Sequence, residues 1–85
     1  MMIDREAIKA ELAQIRLDVA QYLMYDEKNA EEYGDLIQMV SGLPKVPVDM
    51  EIYKHILRTV IELMLKYDDP NFSRAHLKKM YCRLL

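Results

Sequence analysis

The sequence predicts an all-α fold, a small antiparallel bundle of about four helices, and three observations carry that reading. Apolar residues make up 52% of the 85, enough for a real core in a chain just above the size where disulfides or metals usually supplement one. They recur every three or four positions instead of alternating. Only two glycines and three prolines are present, whereas an all-β chain needs turn residues every ~8–12 positions. The length suits one domain, residues 1–85.

The first helix is expected over residues 4–25. Asp4 is a good N-cap, and Ile3 and Ile8 flank it as a hydrophobic staple. Ile8, Leu12, Ile15, Val19 and Tyr22 follow at spacings of four, three, four and three, a heptad-like seam. A second apolar line, Ala10, Ala13, Leu17, Ala20 and Met24, runs along nearly the opposite side, with polar residues between the two. A helix apolar on two sides is packed on two sides.

The second helix is expected over 30–41. Asn29 to Glu32 reads as a capping box, and Tyr33, Leu36, Ile37 and Val40 as the core face. The seam of the first helix also continues in register through positions 26, 29, 33, 36 and 40, so helices 1 and 2 could be one long helix. That arrangement would set Asp26 and Asn29 in an apolar seam, where an unpaired carboxylate is costly. A break near 26–29 is preferred. Gly42, taken as left-handed, and Pro44 stop the second helix, and residues 43–48 form an extended connector.

Asp49 caps a third helix over 49–67, with Val48 and Tyr53 as a second staple. Its apolar residues cover more than half of the circumference, which marks it as the central helix of the fold or the main interface helix of an oligomer. The strip left over holds Glu51, His55, Arg58, Thr59, Glu62 and Lys66, with Arg58–Glu62 and Glu62–Lys66 at ion-pair spacing. Ser73 caps a fourth helix over 73–84, with Phe72 and Leu77 as a third staple, and Asp69 with Pro70 forms a competing start. Leu77, Met80, Tyr81 and Leu84 point inward, and His76, Lys79 and Arg83 line the other side.

Chemistry is scarce in this sequence. His55 has Glu51 four residues before it, but zinc needs three or four converging ligands, and neither H-x-x-x-H nor C-x-x-C occurs. No cofactor or metal is expected. Cys82 is the one cysteine, so no internal disulfide forms, and it reads as a packed, unreactive thiol. With only Gly34 and Gly42, no glycine-rich phosphate loop is available. A helical domain of this size could gather Arg5, Arg16 and Arg58 around a dianion, but no arginine-rich motif supports such an enzyme. The charged N-terminus and the lack of a membrane-length apolar run fit a cytoplasmic protein.

Net charge is −2, unevenly spread: residues 1–51 hold eleven acids against five bases, and residues 52–85 three acids against seven bases. The halves could neutralise each other by packing, or the basic end could meet an acidic partner. Six tyrosines and seven methionines suit protein interfaces. The expectation is therefore a non-enzymatic protein–protein interaction domain, a small regulator, inhibitor or adaptor, homodimeric through helices 1 and 3. Ala13, Leu17, Ala20 and Met24 would form one partner surface, and His76, Lys79 and Arg83 another. The alternative is a nucleic-acid-binding regulator using the basic C-terminal helix.

Overall fold

The computed structural model describes residues 5–25, 31–67, 69–70 and 72–85, which form four helices and no strand. These are α1 (Arg5–Leu23), α2 (Gly34–Ser41), α3 (Met50–Lys66) and α4 (Arg74–Arg83). The expected caps at Asp4 and Asn29 and the staple at Ile3 lie outside the described residues.

Two helix starts follow from local chemistry. The Asp49 carboxylate accepts from the backbone N–H groups of Glu51 (3.1 Å) and Ile52 (3.2 Å), satisfying two donors that have no partner within the helix. The Ser73 hydroxyl accepts from the His76 N–H at 3.3 Å. Ser73, and not Asp69 with Pro70, therefore opens α4. Residues 31 and 32 are helical but a turn at Tyr33 separates them from α2, which begins without a side-chain cap.

The long-helix alternative fails: α1 ends in a turn after Leu23, and α2 packs back against α1. Two smaller expectations are also corrected. Gly42 sits in the right-handed region (φ −71°, ψ −16°), its N–H on the Gln38 carbonyl at 2.9 Å, so the helix ends by ordinary continuation. Val48 is 86% exposed and staples nothing, whereas Tyr53 turns inward and donates its hydroxyl to the Pro44 carbonyl at 3.0 Å. That bond ties the connector to α3.

Helix α3 is the centre of the fold, in contact with α1, α2 and α4. Tyr53, Leu57, Val60, Ile61 and Met64 are all 2% exposed or less, and each side chain contributes about 1.5–3 kcal/mol of apolar burial. Helix α1 adds Leu12, Ile15, Val19 and Leu23, α2 adds Leu36 and Val40, and α4 adds Leu77 and Met80. Leu23 takes the place expected for Tyr22, which is only half-buried. Spacings of three, four and four follow the true 3.6-residue turn, whereas a strict heptad drifts off the core.

The pairing of ends sets the chain direction. Arg83 of α4 meets Glu11 near the start of α1, and His76 of α4 meets Tyr22 near the end of α1. Tyr33, just before α2, stacks edge-on to Tyr67, just after α3. Helices α1 and α3 therefore run one way and α2 and α4 the other. The strip of α3 read as local ion pairs is instead the seat of α4. Arg58 donates to the Leu84 carbonyl at 2.9 Å, Tyr81 donates to Glu62 at 2.6 Å, and Arg74 donates to the Leu65 carbonyl at 2.9 Å.

The bundle is flat, with principal extents of 44 × 24 × 16 Å. In a flat bundle an outer helix has one face toward its neighbours and another with nothing behind it. Among the described residues α1 is in that position over Leu17 to Met24.

Candidate functional site

The two apolar lines of α1 meet different fates. Its buried line faces α3, while on the far side Leu17 is 49% exposed and Met24 52% exposed. Ala13 and Ala20 are half-buried, Ala20 against the edge of the core. These four residues, expected as a partner surface, lie along one side of α1 at spacings of four, three and four, with Leu17 and Met24 turned to solvent. Such large apolar side chains are usually covered when they line up on one face.

The strip continues onto the connector. Glu6, Lys9, Ala10 and Ala13 on α1 and Lys45, Val46 and Pro47 on the connector line a shallow hollow of about 190 Å³. Pro47 is buried, but Val46 remains 64% exposed at the rim. Val48 and Ile52, 86% and 58% exposed, extend the apolar surface toward the start of α3. Apart from Ile52, the apolar residues of α3 are buried or packed against the core. Val46 and Val48 follow no helical period, so the surface they add here is not legible from spacing.

The basic face of α4 is less uniform than its sequence implies. Arg83 Nε lies 2.7 Å from a Glu11 carboxylate oxygen, so the contrast of charge between the two halves is partly met inside the chain. Arg74 is likewise engaged, on the end of α3. Lys78 and Lys79 are exposed. The His76 ring lies 5.7 Å from that of Tyr22, which in turn meets Phe72 edge-on at 6.1 Å. Phe72 continues through Tyr33 to Tyr67, a line of rings pinning the α3–α4 turn to the far end of α1.

A second concavity of about 620 Å³ lies beside this line, bounded by Asp18, Gln21, Tyr22, Tyr25, Pro70 and His76. Asp18 accepts from Gln14 at 3.0 Å, and His76 packs on Tyr22. Among the described residues neither has a hydrogen bond to a Ser, Thr or Cys side chain, the pairing that activates a nucleophile. Nor do three or more His, Cys, Asp or Glu residues converge as metal ligands among those residues. No described helix is long and apolar enough to cross a membrane.

The buried tyrosines serve the fold. Burial, with the hydrogen bond to Asp69 at 2.7 Å, raises the Tyr33 phenol well above its ordinary value. Burial also raises Tyr53, and the hydrogen bond to Glu62 is the main cause raising Tyr81. None of the three is poised to ionise near neutrality. No family model, curated protein or solved structure matches this chain.

Proposed function

We infer that the chain is a non-enzymatic protein-interaction domain whose working surface is the outer face of α1. One observation carries this: Leu17 and Met24 stand half-exposed on the side of α1 opposite a line of buried residues. Covering such a strip is favourable by about 25 cal/mol per Å² of apolar surface, and α1 has no fold-related need for it. A small regulator, inhibitor or adaptor would use it to hold another protein. The lone Cys82, expected to be packed, is instead an exposed free thiol on α4, which suits the reducing cytoplasm.

The nucleic-acid reading has less support. Arg74 and Arg83 hold α4 to its neighbours, which leaves Lys78 and Lys79 as the main phosphate-binding cations of that helix. Phosphate contacts dominate such affinity, and a few cations give little of it.

The test is Leu17→Asp, studied by circular dichroism and by light scattering across micromolar concentrations. A working surface keeps its fold and thermal stability and loses association. Loss of the fold would show that Leu17 is a core residue and would overturn the reading.

A further inference from the structure

We propose that a second copy of this chain covers the outer face of α1, pairing with it antiparallel about a two-fold axis between Leu17 and Ala20. The proposal rests on the reading of that face as an interaction surface and names what occupies it.

The strip alternates small and large: Ala13, Leu17, Ala20, Met24. In an antiparallel pair centred between Leu17 and Ala20, Leu17 of one copy falls opposite Ala20 of the other, and Met24 opposite Ala13. Every large side chain then meets a small one, the condition for interdigitation without voids or clashes. A parallel pair would stack alanine on alanine and leucine on leucine, leaving gaps at one layer and crowding at the next.

The surface around Ala13 fits the same register. The hollow of about 190 Å³ lined by Ala10, Ala13, Val46 and Pro47 together with the charged Glu6, Lys9 and Lys45 lies where Met24 of the second copy would arrive. Met24 is 52% exposed, unbranched and able to adapt to an irregular hollow. The two-fold axis repeats the fit, so each copy supplies one knob and one hole, as a closed, isologous pair requires.

Charge agrees. Between residues 10 and 24 the outward third of α1 holds Ala10, Ala13, Gln14, Leu17, Ala20, Gln21 and Met24, with no charged residue, although 31% of the chain is charged. Residues beside a two-fold axis meet their own copies, and Leu17, Ala20 and Gln21, which would lie nearest it, carry no charge to repel there. Opposed helix dipoles also favour the antiparallel direction. With 19 residues, α1 is about 28 Å long at ~1.5 Å per residue. One helix width of about 10–12 Å along it covers about 300 Å² per copy, below what a permanent pair needs, so the contact is a weak one. The pair should therefore form and dissociate with concentration.

Cysteine pairing tests direction and register, in chains carrying Cys82→Ser. Ala13→Cys and Met24→Cys are prepared separately, mixed, and oxidised mildly at a concentration where light scattering shows association. The mixture is expected to give a covalent dimer, and each variant alone little or none, because like positions would be about 16 Å apart along the axis and a disulfide spans Cα atoms only ~4.4–6.8 Å apart. Cross-linking of each variant with itself would mean a parallel pair and overturn the proposal. A dimer that none of the mixtures links, or a chain monomeric at every concentration, would also overturn it. The broader reading falls separately, if Leu17→Asp unfolds the chain.

Discussion

Replacing Leu23 by alanine empties a position that has no solvent exposure, whereas the same change at Leu17 trims a side chain already 49% exposed. Both leucines sit on α1, Leu17 within it and Leu23 at its last residue, and they occupy different faces. At Leu23 the substitution removes buried methyl groups and leaves a cavity between α1 and its neighbours, a loss of about 2–5 kcal/mol. At Leu17 only part of the side chain leaves a packed environment, and alanine is at least as good a helix former as leucine. The net cost there should be below about 1 kcal/mol. For a domain of this size each kcal/mol moves Tm by about 4–8 °C, so Leu23→Ala should melt about 8–40 °C lower and Leu17→Ala less than about 8 °C lower. The comparison is made by thermal circular dichroism at a concentration low enough for the chain to be monomeric, which removes any stabilisation by association. Equal losses for the two variants would refute the assignment of the faces.

Two further predictions concern the contacts that hold the ends of the helices. Tyr33→Phe deletes the 2.7 Å hydrogen bond to Asp69 and should cost about 1–2 kcal/mol. Since the folded-state pKa of Tyr33 is raised, its contribution is full below the unfolded value near ~10 and is lost as pH rises above it. Denaturant midpoints should therefore fall more steeply at alkaline pH for the parent than for the variant, and parallel profiles would contradict this. Asp49→Ala leaves two N–H groups at the start of α3 without their acceptor and should cost about 1 kcal/mol, read as a shift in urea midpoint with no change in slope. An unchanged midpoint would show that water replaces the cap at no cost.

Much of the fold was legible in the sequence because its punctuation is local. Asp49 and Ser73 cap the helices they precede, and the inward faces of α2 and α4 follow from spacing alone. The errors arose where a distant part of the chain competes with a local rule. Arg58 and Glu62 have the right spacing to pair on one helix, yet Leu84 and Tyr81 arrive from α4 and take them instead. Val48 has the right position for a staple, but Tyr53 is drawn to the carbonyl of Pro44. At the end of α1 a heptad count favours Tyr22, while the geometry of a straight helix buries Leu23. The outer strip of α1 was readable as apolar. Its freedom from cover was not, because that depends on how the other helices divide the space on either side of α3. Arg83 shows the same limit: a cation on an exposed stripe gives no sign that Glu11, distant in sequence, is beside it.

The most direct test of the outer face of α1 is a dilution series of the unmodified protein with methyl-labelled methionine, followed by NMR. Met24 lies on the proposed contact, and Met64 and Met80 are each 1% exposed in the core. The methyl signal of Met24 should shift or broaden with concentration while those of Met64 and Met80 stay fixed. A stationary Met24 signal across a range in which the solution mass increases would place the contact elsewhere and contradict the account.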